Sequence, residues 1–292
     1  MNLNYLECFV SLSETMSFTE TAKEFSVSQP SISRQIRLLE EQLNQKLFIR
    51  DKHKVHLTEA GMELKTRLRP LMKELKNVIS SAQEDADNLK GTLHVGCLGE
   101  VGQHAVMRSI LDFHQQNPGV DIETQFLSPN LIIDKIKLGQ LDFGIIGQEI
   151  DLENVRAYKL MEERCVLVTR ASNEKIIEDI NQMSFVTYTH HDVLLVDYLH
   201  HFYKRIPYGK IKKPISVNSH RSMVEALFEN DYYAIIPYFS VEKEIQSGKL
   251  KIVSDKEITN QLYLIYMENS LMPLKNELFR KHIMAWAKTK SL

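Results

Sequence analysis

Five polar residues, Gln29, Ser31, Ser33, Arg34 and Arg37, fall on one face of the stretch from Gln29 to Glu40, and Ile32, Ile36 and Leu39 fall on the other. Amide, hydroxyl and guanidinium groups at helical spacing hydrogen-bond to base edges in a DNA major groove or to phosphates, while an apolar reverse face fixes the helix to a core. Pro30 belongs in the first turn, where its missing N–H costs nothing, and Ser28 stands ahead of it as the expected N-cap. Arg50, Lys52 and Lys54 form a second basic group, on a predicted hairpin, suited to phosphates or a narrow minor groove. Catalytic chemistry finds no comparable pattern. No GxGxxG, P-loop, GxSxG or HExxH sequence occurs, and spacing suggests no nucleophile–base pair, so no catalytic, metal or cofactor residue is assigned.

The elements that must position these groups lie on either side. Leu3, Leu6, Phe9, Val10 and Leu12 give an apolar face to a first helix over 3–13; Ser17 caps a second over 18–25; residues 26–28 turn into the polar-faced helix. Residues 47–57 alternate as a two-stranded wing that turns at 51–54. A long helix then runs from Thr58 to about Asn88, with Leu64, Leu68, Leu71, Leu75, Val78 and Ile79 at spacings of three and four. One apolar stripe on a helix that links two domains needs a cover, and the same helix of a second copy supplies it.

From Gly91 onward strands and helices alternate: strands at 92–96, 120–126 and 141–146, helices at 101–117 and 130–139 with Ser128 placed to cap the second. The βαβαβ order predicts a parallel sheet with right-handed crossovers. Residues 164–168 read as a strand crossing into a second lobe, with strands at 185–188, 215–218 and 234–237; residues 261–267 cross back, and a closing helix over 273–288 carries Leu274, Leu278, His282 and Trp286 near one stripe. Ligands in such sheets sit beyond the carboxyl ends of the strands, beside helix N-termini. That rule selects Gly99, Glu100, Val101, Ser128, Pro129 and Gly147 from the first lobe, and Thr189, Asn218, Ser219, His220 and Pro237 from the second.

The blocks Ser17-Phe18-Thr19, Val27-Ser28-Gln29-Pro30-Ser31-Ile32-Ser33, Leu38-Leu39-Glu40, Leu47-Phe48-Ile49-Arg50 and Leu57-Thr58-Glu59-Ala60-Gly61, behind the helix of Leu3, Leu6, Phe9 and Val10, together resemble the N-terminal domain of the LysR-type transcriptional regulators. The resemblance extends over the whole chain in length and layout. It implies an α/β fold with a winged helix-turn-helix over 1–61, a linker and dimerisation helix over 58–89, and a two-lobed effector domain of periplasmic-binding-protein architecture over 90–292, lobe I near 91–163 with 269–292 and lobe II near 164–268. It also implies dimers that join in pairs into a homotetramer. Glu100 and Pro129 stand where many relatives offer hydroxyls to an effector carboxylate, and Asn230-Asp231-Tyr232 replaces the usual glycines before a strand. A carboxylate at Glu100 favours a cationic, neutral polar or amine-bearing effector over a dianionic acid.

The net charge of -2 does not speak against nucleic acid, because its distribution is uneven. Between Ser28 and Lys76 eleven basic residues face six acidic ones, a local excess of five positive charges. The amino terminus lacks a basic leader and no apolar run is long enough to span a bilayer, so a cytoplasmic protein away from membranes is expected. Cys8, Cys97 and Cys165 read as reduced, packed thiols; Cys97 beside the cleft also admits redox sensing. His190, His191, His200, His201 and His220 gather in the second lobe without metal-ligand spacing. Candidate partners are double-stranded DNA, a small-molecule effector, further copies of the chain and RNA polymerase. An architectural DNA binder, a solute-binding protein and an α/β enzyme are the rival classes.

Overall fold

The computed structural model describes residues 3–50, 55–81, 89–102, 106–174, 179–268 and 272–289; for Arg50, Asn77, Ser80, Ser81 and Glu100 it describes the backbone alone. Two compact units result, one of Met1–Asn88 with Asp134–Gln140 and Asn269–Leu274, the other of the remaining chain.

In the first unit, α1 (Leu3–Thr15), α2 (Phe18–Glu24) and α3 (Gln29–Leu43) enclose a core of Phe9, Leu12, Phe18, Ala22, Ile32, Ile36 and Leu39. Ser17 caps α2 by accepting from the Glu20 N–H at 3.3 Å. Ser28 occupies the N-cap position of α3, yet its side chain makes no capping bond. Leu3, expected on the apolar face of α1, is 42% exposed, because the buried ridge begins one turn later. The wing pairs β1 (Phe48–Arg50) with β2 (Val55–Leu57), Phe48 opposite Leu57; its turn lies outside the described residues. α4 (Glu59–Ser81) follows, with Pro70 inside it depriving the Thr66 carbonyl of its usual partner. Gly61 explains how closely α4 abuts the wing, since a Cβ there would fall 2.2 Å from the Leu47 carbonyl oxygen.

The stripe on α4 divides. Leu68, together with Met72, is buried in the core of its own domain and Leu64 packs beside them, whereas Leu71, Leu75, Val78 and Ile79 are exposed. Leu68 therefore does not belong to an intermolecular seam, as even spacing had made it seem.

The second unit is built on a six-stranded sheet in the order β4-β3-β5-β10-β6-β9: β3 (Gly91–Cys97), β4 (Val120–Phe126), β5 (Phe143–Ile146), β6 (Val155–Arg170), β9 (Ala234–Pro237) and β10 (Leu250–Met267). β4, β3 and β5 run parallel as the alternation requires. β6 and β10 are long, antiparallel and shared by both lobes, with β9 beside β6 in the second. β7 (Ser184–Thr187) and β8 (Lys212–Ser216) form a parallel pair; β8 sits three residues earlier than the sequence placed it, and Val217 still donates to the Thr187 carbonyl at 2.9 Å. The helices are α5 (Gly99–Val101), α6 (Met107–Gln116), α7 (Pro129–Lys137), α8 (Val193–Phe202), α9 (His220–Glu229), α10 (Glu242–Gln246) and α11 (Leu274–Lys288). The expected helix over 101–117 is regular in the described residues only from Met107. On α11 the buried ridge is Asn276, Phe279, Ile283 and Ala287 rather than the Leu274 stripe. Polarity misleads there: Asn276 is buried because it donates to Asp142 at 3.1 Å, which also accepts from the His94 N–H at 2.8 Å.

Candidate functional site

Burial of Ile32, Ile36 and Leu39 turns the opposite face of α3 outward. Gln29, Pro30, Arg34 and Arg37 are exposed, Ser31 and Ser33 half-buried. Behind them Cys8 donates its thiol proton to Gln35 at 2.9 Å, and Asn44 ends α3 in the left-handed conformation. Arg37 pairs with Glu41 at 3.4 Å. On the wing, Arg50 contributes to β1 through its backbone; its side chain, with Lys52 and Lys54, lies outside the described residues.

Several of the basic side chains counted along this segment have acidic partners within the domain, two of them, Glu14 and Glu7, outside the counted stretch. Lys46 pairs with Glu40 at 2.9 Å, Arg67 with Glu63 at 2.9 Å, Arg69 with Glu14 at 3.0 Å and Lys76 with Glu7 at 3.8 Å. Lys65 donates to the Ser13 carbonyl at 2.6 Å. A simple charge count overstates what is left for phosphates.

Sequence reasoning missed the role of Glu40. Its side chain is 5% exposed and accepts from Leu47 N–H at 2.9 Å, Phe48 N–H at 3.2 Å and Lys46 Nζ at 2.9 Å. Burial alone would push the carboxyl up; Lys46 and the two amides outweigh it and hold it below 4.5. One carboxylate thus ties the end of α3 to the start of the wing. Its place at the end of an otherwise apolar Leu38-Leu39 pair was the available signal.

In the effector unit, Gly99 opens α5 after β3, Val101 is buried beneath it, and the Glu100 side chain lies outside the described residues. Ser128 precedes α7, its carbonyl accepting from Ile132 at 3.0 Å, and Pro129 is the first residue of that helix. In lobe II, Ser219 caps α9 by accepting from Ser222 at 3.3 Å; Asn218 beside it is exposed. His220 is buried, shares a hydrogen bond with the Ser240 hydroxyl at 3.1 Å and meets the Tyr188 ring edge-on at 5.2 Å. Pro237, buried at the end of β9, opens the segment that carries Ser240. The Thr189 hydroxyl donates to the His191 carbonyl at 2.8 Å, a bond within its own loop. The remaining histidines do not converge: His191 packs on Tyr208 and His201 bonds the Asp197 carbonyl.

Gly147 occupies a position the strand-end rule selected, and it points to Asn260 and Glu163, which that rule passed over. A Cβ on it would lie 3.2 Å from Asn260 Nδ2 and 3.7 Å from Leu98 Cδ1. Asn260, on β10, stands opposite Glu163 on β6 and donates to its Oε2 at 2.9 Å. Glu163 is 4% exposed, and among the described residues nothing hydrogen-bonds to its buried Oε1. Burial pushes the carboxyl up to about 7, against the lowering effect of Asn260. Its titratable neighbours, Cys97 on β3 and Cys165 on β6, are buried thiols raised first by desolvation and then by the Glu163 charge.

The unfolded chain ionises Glu163 near the ordinary value of 4.5, so the folded state holds the extra proton between there and about 7. Stability should therefore fall as pH rises across that window. Denaturant titrations between about pH 5 and about pH 8 should show a flatter profile for Glu163→Gln than for the unaltered chain. Parallel profiles would contradict the burial argument.

Residues 3–62 match the bacterial regulatory helix-turn-helix protein, lysR family, and residues 86–288 match the LysR substrate binding domain. The HTH-type transcriptional activator IlvY of Salmonella typhimurium is 31% identical over 169 residues, 58% of this chain and 57% of IlvY. The match thus spans little more than half of that relative. The probable RuBisCO transcriptional regulator of Phaeodactylum tricornutum is 25% identical over 304 residues, 94% of this chain and 98% of that protein. A full-length OxyR variant from Pseudomonas aeruginosa superposes with a TM-score of 0.78 at 18% identity, covering 99% of this chain and 95% of its own, a likeness of fold. With a reading-head module and an effector-type module matched in order along one polypeptide, the chain belongs to the LysR family of bacterial helix-turn-helix regulatory proteins.

Proposed function

We propose that the chain is an effector-responsive transcription regulator that reads duplex DNA with α3 and binds an interrupted palindrome as an oligomer. The observation that carries this reading is the placement of Arg34, exposed on a helix whose reverse face, Ile32, Ile36 and Leu39, is wholly buried. A guanidinium so held reaches guanine O6 and N7 in a bidentate pair, with Gln29, Ser31, Ser33 and Arg37 beside it and Arg50, Lys52 and Lys54 on phosphates. Segments 1–61, 58–89 and 90–292 divide these tasks into DNA reading, subunit pairing and effector binding. The working compartment is the cytoplasm, and the activator role named for IlvY supports RNA polymerase as a further partner.

The exposed Leu71, Leu75, Val78 and Ile79 support pairing through α4, and pairs of dimers complete a tetramer. Half-sites should lie about 34–36 Å apart, one helical turn, or at a multiple of it. The effector enters between the lobes, near Gly99, Glu100, Ser128, Pro129, Gly147, Asn218, Ser219 and His220. Thiol redox sensing is no part of this reading, because all three cysteines are buried and the Cys8 thiol is raised to about 11, chiefly by desolvation.

On a duplex selected by the unaltered chain from random sequence, Arg34→Ala should cost about 1–3 kcal/mol and relax specificity at one base position. Lys52→Ala with Lys54→Ala should weaken all duplexes alike and flatten the salt dependence. Fluorescence anisotropy across a salt series measures both. Full affinity in Arg34→Ala at physiological salt would remove α3 from the groove.

A further inference from the structure

β6 and β10 carry the chain between the lobes, and where Glu163 faces Asn260 they hold a carboxylate with one oxygen engaged and one bare. A bare, fully desolvated carboxylate oxygen is a costly group, since each buried acceptor without a donor forfeits the bond water gave it. Lobe I approaches Asn260, the partner of Glu163, and lobe II adjoins Glu163 along β6. Leu98, after β3, and Gly147, after β5, come from the strand ends of lobe I, and a Cβ on Gly147 would lie 3.2 Å from the Asn260 amide nitrogen. Cys165, two residues along β6 from Glu163, belongs to the lobe II core of Phe185, Tyr198 and Tyr233. Glu163 thus lies where that core gives way to the loops at which strand-end geometry gathers ligands.

We propose that Glu163, held by Asn260, is the acceptor subsite of the effector cleft, and that its unengaged Oε1 receives an ammonium or guanidinium group of the effector. The inference rests on the effector reading above and gives that site its ligand polarity. A cation supplies the missing donors and a compensating charge together, so the pair is favourable only when the ligand is present. The resident carboxylate disfavours a dianion at the same place. Gly147 leaves the Asn260 amide room, because any side chain there would crowd it. The same polarity followed from the residue type at Glu100, in α5 after β3, but Glu163 supports it through position, burial and bonding.

The test uses the full chain with putrescine, agmatine and glutarate as probes, read by thermal shift and then calorimetry. At least one of the two cations should raise the melting temperature of the unaltered protein, as binding to the folded state must. Glu163→Gln should fold and lose about ten- to a hundredfold in affinity for that cation. Gly147→Ala, which keeps the carboxylate and puts a methyl 3.2 Å from Asn260 Nδ2, should weaken it as well, and it serves alone should Glu163→Gln fail to fold. Stabilisation by glutarate alone overturns the polarity while leaving the effector reading intact. Cation binding unchanged in both variants overturns the subsite, and so does the absence of any shift with either cation. DNA binding measured on the same preparations tests the regulator reading separately.

Discussion

Leu68→Glu and the pair Leu71→Glu with Leu75→Glu should part company: the first unfolds the N-terminal domain, the second leaves it folded and splits the proposed α4 dimer. Leu68 is 9% exposed within a core that includes Phe9, Leu12 and Met72. A carboxylate there has no partner, and an uncompensated buried charge costs about 3–5 kcal/mol, a large share of the stability of a small domain. Leu71, 60% exposed, and Leu75, 36% exposed, lie outside the buried core, so their replacement should cost the domain far less than that of Leu68. In the proposed α4 pairing, however, the new charges of the two copies are brought together, which costs several kcal/mol of association. Circular dichroism melts and sedimentation velocity separate the two outcomes. A doubly substituted protein that keeps the native mass would move the subunit contact off this face.

Glu40→Ala should lower the stability of the same domain by about 2–5 kcal/mol, because it strips the partner from two buried amides at once. Those amides, of Leu47 and Phe48, begin the wing, so operator affinity should fall with the melting temperature even though Glu40 itself faces away from solvent. The acid limb gives a second reading. A carboxylate held below its ordinary 4.5 contributes its full stabilisation above that value and loses it as pH falls through the folded-state value. The advantage of the unaltered domain over Glu40→Gln should therefore be level near neutrality and close in acid. A gap that widened in acid would reverse the sign assigned to the Lys46 and amide contacts.

The reading head was legible in the sequence because helical periodicity, a capping serine and a proline in the first turn all agree locally between Ser17 and Leu43. The parallel β3, β4 and β5 were legible for the same reason. What the sequence hid were contacts between residues far apart along the chain. Glu40 looked like one more surface acid, Leu68 like its neighbours on the stripe, and Asn276 like an interruption of α11 rather than part of its buried ridge. Glu163 lay three residues before a run of apolar strand, and its partner Asn260 is nearly a hundred positions further on; no local pattern links them. The strand-end rule selected Gly147 and His220 by their place after a strand, and by the same rule Thr189, whose hydroxyl donates within its own loop.

The paired β6 and β10 impose a mechanical limit on how a ligand can be felt. They are hydrogen-bonded from Val155 opposite Met267 to Arg170 opposite Leu250, with breaks in register only between Ile252 and Glu257 and between Leu262 and Tyr263. Between the pairing of β5 with Tyr263 and that of β9 with Cys165 the sheet narrows to a ribbon of these two strands, which resists stretching, because extension would tear its ladder, but twists readily, most of all at a bulge. The lobes that share it are therefore linked by a torsion spring. Ligand uptake should be transmitted as rotation about the ribbon axis at nearly constant separation, with amide exchange quickest at the break beside Tyr263.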